Sequence, residues 1–212
     1  MFLTLLVAIW HYRKYGRTYM ALFIPYMAFI IGIELTTLYI KYVLDGKTGW
    51  IYNIVTPLEN CFYAYIMYQF VGKPLYKKFI FYSITIFTIG VFCYLIFITG
   101  FDDFSPMIIS TSSILMVIIA CLLFYEYLNS EDYSMYRNWT AAIWLCVGVM
   151  IFYAGIAYCF ALYDYILTNQ LKMFGEKLYV IIPRYLSIIL YSCLTISLIV
   201  WKQKKSTSRY LM

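Results

Sequence analysis

The sequence predicts an all-α, polytopic transmembrane helix bundle of about seven spans, and three observations carry that prediction. The chain is 64% hydrophobic and only 12% charged, with a mean hydropathy of +0.78, far too apolar for a soluble domain of 212 residues. Apolar runs long enough for a bilayer core of about 30 Å recur along the whole length, separated by short polar links. The basic residues fall unevenly on alternate links, as they do in membrane proteins with a fixed orientation.

A single transmembrane domain over 1–212 follows, with spans near 2–15, 18–42, 50–71, 79–99, 107–128, 139–162 and 178–201. The first run, Phe2 to Trp10, is short and carries the basic flank HYRKYGR, so either it borrows neighbouring residues or the natural start lies upstream. It lacks the charged leader and small-residue cleavage site of a signal peptide. The second span holds Pro25, able to kink it, and Gly32, and closes at Lys41, Asp45 and Lys47. The third carries Asn53, Pro57, Glu59 and Asn60 in its first half. GKPLYKK reads as a basic turn before the fourth span.

Ser105 and Pro106 suit the cap and first position of the fifth span, which opens on Ser110, Thr111, Ser112 and Ser113 and ends at Glu126. The sixth contains Gly148 and Gly155, two turns apart, a spacing that admits a neighbouring backbone. Asp164 to Lys177 reads as the longest loop. The seventh span carries Pro183 and Arg184 near its start and runs into the basic tail KQKKSTSR.

Arg13, Lys14, Arg17, Lys73, Lys77, Lys78, Arg137, Lys202, Lys204, Lys205 and Arg209 fall on one side, against Lys41, Lys47, Lys172 and Lys177 on the other. Basic residues near span ends stay cytoplasmic, so the N-terminus is expected outside and the C-terminus in the cytoplasm. The net charge of +6 then reports loops on one side of a membrane and is no sign of nucleic acid.

An ionisable side chain within a span is costly in lipid and marks a candidate functional centre. Glu34, Glu59 and Arg184 are three such groups. Counting helical rise from the span ends places Glu34 about 10 Å, Glu59 roughly 13 Å and Arg184 roughly 9 Å below the outer edge. Asn53, Asn60 and Ser112 belong to the same outer half, so the candidate cluster is Glu34, Glu59, Arg184, Asn53, Asn60 and Ser112. Two accounts of it stand side by side. It is a structural network in which Arg184 bridges two carboxylates, or an outward-facing polar cavity whose surplus negative charge takes a cation, a zwitterion or a proton. Glu126 and Asp164, at helix ends, read as solvated interface residues. Many of the 25 tyrosines, Tyr63 and Tyr153 among them, lie inside spans as packing residues or as the wall of a pocket.

Several chemistries lack their parts. The last span has no lysine for a Schiff base, and HExxH, GxSxG and facing aspartates do not occur, so retinal-binding, zinc-protease, serine-hydrolase and aspartyl-protease readings lack their groups; an enzyme acting on lipid, with Glu34 or Glu59 as base, would need a metal or nucleophile that the sequence does not display. The six cysteines show no CxxC or Cys/His spacing, and no metal or cofactor is expected. The halves of the chain do not repeat each other, which weakens an inverted-repeat transporter.

The text HYRKYGR, a span with IEL, then WIYNIVTPLENCFYAYIMY, NWTAAIWLCVGVMIFYAG and a last helix ending VWKQKK resembles a group of small seven-helix membrane proteins of Bacteroidetes-type bacteria. The matching positions are Glu34, Tyr52, Asn53, Glu59 and Gly155. The resemblance implies a fold and a bacterial inner-membrane habitat, and a likeness to the membrane sensor portions of kinases. The leading functional expectation is therefore a non-enzymatic sensor or small-ligand-binding module that signals to a cytoplasmic partner. A small transporter or channel for a proton, cation or zwitterion is the alternative, and an accessory membrane protein of a defence or stress system is a third. Membrane lipid, a small ligand or ion, a cytoplasmic protein and a second copy of the chain are the expected partners.

Overall fold

The computed structural model describes residues 1–12, 18–100, 104–129, 138–173 and 175–201. Its helices are α1 (Phe2–Trp10), α2 (Phe23–Tyr42, led in by a 3₁₀ turn over Tyr19–Leu22), α3 (Gly49–Phe70), α4 (Pro74–Tyr94, continued by a π turn over Leu95–Thr99), α5 (Pro106–Leu128), α6 (Trp139–Ala161), the short α7 (Tyr163–Thr168) and α8 (Leu178–Val200). Strands β1 (Lys172–Met173) and β2 (Glu176–Lys177) pair antiparallel ahead of α8. Five helices, Tyr19–Tyr42, Pro74–Thr99, Pro106–Leu128, Trp139–Ala161 and Leu178–Val200, are long and apolar enough to cross a membrane.

The two remaining expected spans differ for physical reasons. Helix α1 has nine residues, about 13.5 Å of rise, less than half a bilayer core. The part of that expected span from 13 to 15 lies outside the described residues. Helix α3 is long enough at 22 residues, but Asn53, Glu59, Asn60 and Gln69 lower its hydropathy. It can be polar because it is central, packed against α4, α5, α6 and the 3₁₀ turn, so protein rather than lipid meets most of its faces.

Two other expectations shift. Pro74 opens α4 as its first residue, where a missing N–H costs nothing, so the turn read over GKPLYKK shrinks to the residues before it. Pro25 lies in the first turn of α2 for the same reason. The long loop after α6 is partly ordered by α7 and the hairpin.

The ends of the bundle are marked by side chains. At one, here the Thr48 end, Phe104 fits beside Gly49 and packs on Phe160 and Tyr163. At the other, the Gly72 end, Tyr19, Phe70 and Trp201 meet edge to face with centroids 5.3 to 5.8 Å apart. Between them α6 and α8 pack most closely. A Cβ on Gly148 would stand 2.7 Å from Cys193 Cβ, and one on Gly155 would stand 2.5 Å from Leu186 Cδ1. Ser197 Oγ donates to the Ala141 carbonyl at 2.7 Å, and Thr4 Oγ1 ties α1 to the Tyr191 carbonyl of α8 at 3.2 Å. Small and hydroxyl residues thus hold this side together, as expected where lipid removes the hydrophobic drive between helices.

Glu126 corrects the expectation of a solvated helix-end residue. It is fully buried, and its Oε1 accepts the backbone N–H groups of Gly72 at 2.9 Å and Lys73 at 2.7 Å. Those amides lead into α4, so the carboxylate sits at a helix N-terminus and meets both bare donors and a favourable dipole. Asp164 is exposed.

Glu126→Ala is expected to destabilise the protein by about 1 to 3 kcal/mol, the cost of taking a charged acceptor from two part-buried amides at a helix N-terminus, and Glu126→Gln, which keeps an oxygen there, by clearly less. Thermal unfolding in detergent decides this, and an Ala variant that melts with the parent would refute the clasp. Gly148→Ala is expected to cost about 1 to 3 kcal/mol by overpacking against Cys193.

Candidate functional site

On a helix of 3.6 residues per turn, positions seven apart nearly eclipse. Helix α3 uses that spacing twice, with Tyr52 above Glu59 and Asn53 above Asn60. Tyr63 falls angularly between Glu59 and Asn60, so one continuous arc of the helix carries a carboxylate, a phenol and an amide.

The carboxylate side of the arc faces α2. Tyr26 Oη donates to Glu59 Oε1 at 3.3 Å, and the Tyr26 ring stacks on Phe62 at 3.7 Å with 6° between planes. Tyr63 meets Tyr26 edge to face at 5.6 Å and Tyr153 of α6 at 6.1 Å. Tyr191 of α8 also lies within electrostatic reach of Glu59. Glu59 therefore sits among four phenols drawn from four helices. Tyr63 is 1% exposed, yet its hydroxyl has no hydrogen-bond partner.

The amide side faces α5, which runs parallel to α3. Asn53 Oδ1 accepts the Ser105 N–H at 3.2 Å, and near the other end Tyr127 Oη donates to the Phe70 carbonyl at 3.4 Å. Those two links set the register and bring Asn60 to the level of Ser112 and Ser113. Both serines are fully buried and donate to the Ile109 carbonyl, at 2.9 and 2.7 Å. Asn60 is also fully buried, and neither its Oδ1 nor its Nδ2 has a partner. A buried polar group left unpaired costs about 1 to 3 kcal/mol, so this amide and the Tyr63 hydroxyl are sites at which the fold is under-satisfied.

Glu34 and Arg184 stand apart from this centre. Glu34 is half-buried on α2, eight residues or about 12 Å of rise from Tyr26, so it lies two turns nearer the Thr48 end than Glu59. Counting inward from span ends makes the two carboxylates level. The Tyr26–Glu59 bond sets a different register between the antiparallel helices, and sequence periodicity does not contain it. Glu34 is within electrostatic reach of Tyr52, Tyr191 and Glu59. Beside Tyr52 is Thr37, 5% exposed, whose hydroxyl faces the Tyr52 phenol.

Arg184 is exposed on α8, one heptad from Tyr191 on the same stripe. Along α2, Glu34 and the Tyr26–Glu59 contact thus occupy two successive layers. Of the six candidates, Asn53, Glu59 and Asn60 lie on α3, Ser112 on the parallel α5, Glu34 one layer away on α2, and Arg184 on the exposed stripe of α8. Sequence reasoning passed over Tyr26 and Thr37, whose heptad-like spacing with Glu34 on the inner face of α2 was the available signal.

The rest of the surroundings limit the chemistry. Among the described residues no three His, Cys, Asp or Glu side chains gather as metal ligands. Toward the Gly72 end the core is closed by Met20, Met27, Ile66, Met67, Met116, Ile119 and Leu123, all fully buried. A groove of about 190 Å³ lies elsewhere, between α4 and α5, lined by Phe87, Gly90, Val91, Tyr94, Met107, Ile108 and Thr111. Its walls are those of a lipid-facing crevice.

Because both ends of the Asn60 amide are unpaired, Asn60→Leu is expected to raise the unfolding midpoint of the ligand-free protein, corresponding to about 1 to 3 kcal/mol. Thermal unfolding against the parent checks it, and a destabilised Leu variant would show that the amide is paired after all. No protein-family model, no curated protein and no solved structure matches this chain.

Proposed function

We propose that the chain is a non-enzymatic inner-membrane protein of bacteria that binds a small cation in the outer half of a seven-span bundle and signals its occupancy to the cytoplasmic side. In this reading the Thr48 end faces outward and the Gly72 end inward, the orientation that the basic residues favour. The observation that carries the proposal is the arc on α3: Glu59 accepts one phenol hydroxyl, while the fully buried Tyr63 hydroxyl and Asn60 amide beside it await a partner. A carboxylate among aromatic faces attracts a cation both by charge and through the ring quadrupoles.

Binding suits the site better than passage. Beyond Tyr26 the bundle is filled by fully buried methionine, isoleucine and leucine side chains, and a polar path does not continue through them. The carrier alternative has Pro57 in its favour, since it interrupts the backbone ladder of α3 one turn from Glu59 and Asn60, and broken helices line transporter sites. For signalling, α5 links the two ends. It bears Ser112 at the polar layer and Glu126 at the α3–α4 junction, so a ligand that shifts α5 also pulls on the link between α3 and α4.

The test is the thermal stability of purified protein in nanodiscs of zwitterionic lipid, with sodium, potassium and a panel of small amines. A cation present at about a hundred times its Kd should stabilise the parent by roughly 2.7 kcal/mol. Glu59→Gln should fold and lose that gain. Equal gains in parent and variant, or none in the parent with any cation, would sink the proposal.

A further inference from the structure

The segment between α6 and α8 is built as one unit at the Thr48 end of the bundle. Leu171 ties its parts together: its N–H donates to the Ile166 carbonyl in α7 at 3.1 Å, and its carbonyl accepts the Leu178 N–H that opens α8 at 3.2 Å. Gln170, at φ +48°, turns the chain between α7 and the hairpin. Helix α7 buries Ile166 and leaves Tyr165 and Leu167, one on each side of it, exposed. Tyr163 of α7 meets Phe104, Phe160 and Tyr179 with ring centroids 5.1 to 5.9 Å apart. The unit lies where one helix long enough to cross a membrane ends and the next begins. Exposed aromatic and aliphatic side chains beside a cluster of phenols are what a bilayer interface accepts.

The hairpin adds charge. Its register sets Lys172 directly opposite Lys177, so the two side chains leave the same face. Like charges directly opposite one another weaken a strand pair, and both residues are exposed. Lys177 Nζ lies 5.7 Å from the centre of the Tyr179 ring, which joins the charged pair to the aromatic cluster. Asp164, also exposed, stands in the first turn of α7, the end of that helix away from the hairpin. We infer that α7 and the hairpin form a docking surface for the headgroup of an anionic phospholipid, with Lys172 and Lys177 on its phosphate and Tyr165 and Leu167 in the adjoining acyl boundary. A phosphate between the two ammonium groups turns a repulsive cross-strand pair into an attractive one. Free phosphate or an acidic soluble segment meets the lysines alone and leaves the apolar side chains in water, whereas a lipid meets both. This surface is separate from the arc on α3, so either can hold without the other.

Amide hydrogen exchange of the full chain, read by mass spectrometry in nanodiscs of phosphatidylcholine with and without phosphatidylglycerol, tests this. In the parent, phosphatidylglycerol should slow exchange in α7 and the hairpin by about tenfold, as two basic residues at an anionic surface allow. Lys172→Gln together with Lys177→Gln should abolish that slowing, and Lys172→Arg together with Lys177→Arg should preserve it. Lys41→Gln removes a lysine that stands over Tyr42 at the same end of the bundle, and it should leave the slowing unchanged. Equal exchange of the parent in the two lipids, or slowing that survives the paired Gln change, would overturn the docking surface. Loss of the slowing in Lys41→Gln would overturn it too, by reducing the effect to general surface charge. So would the same slowing produced by inorganic phosphate in phosphatidylcholine alone, the mark of a free-anion site.

Discussion

Helix α3 is constrained by the absence of water: inside a membrane bundle a polar side chain can be answered only by other protein atoms or by something bound. The helix carries Asn53, Glu59, Asn60 and Tyr63 within three turns, and the elements around it are arranged to answer them. Asn53 takes the amide of Ser105, at the mouth of α5. Glu59 takes the hydroxyl of Tyr26, which fixes α2. The positions of two neighbouring helices thus depend on polar contacts to α3, and the hydrocarbon-filled core toward the Gly72 end completes the packing. The contacts are not sufficient, however, because the amide of Asn60 and the hydroxyl of Tyr63 are left over.

A soluble protein would place water at such atoms at little cost. Here Ser112 and Ser113, at the level of Asn60 on α5, have already given their hydroxyl protons to their own helix, and Tyr63 meets tyrosine rings that offer faces and edges. Replacing Asn60 with an apolar residue of similar volume would remove the penalty altogether. An unpaired buried amide is a local rule broken at a cost in stability, which is the observation on which the proposed site rests.

Much of this was legible in the sequence and some could not have been. Apolar runs announced the five membrane helices, and the two-turn spacing of Gly148 and Gly155 announced a close neighbour, which the fold shows to be α8, because both depend on local composition and periodicity. The polar residues of α3 stood out for the same reason. Partner choice did not, since it depends on the register between helices and on the direction each face points. Arg184 balanced the charges of Glu34 and Glu59 on paper, yet it occupies an exposed stripe of α8. Glu126 looked solvated because it ends a helix beside a polar link. Its burial follows from the neighbouring chain folding back so that Gly72 and Lys73 present their amides to it, a contact across 53 residues of sequence.

Two acids of the interior, Glu126 and Glu59, show how differently a bundle can treat a carboxylate. Glu126 meets backbone donors at 2.7 and 2.9 Å where a helix begins, the arrangement that holds an anion most firmly and leaves it least available to anything else. Glu59 has one phenol at 3.3 Å, no backbone donor, and a side chain that remains half-buried rather than sealed. Structural acids are closed by the chain itself. An acid held by one phenol, ringed by aromatic faces and flanked by a buried amide without a partner is left open on one side, and that difference, more than burial alone, separates the clasp at the Gly72 end from the arc on α3.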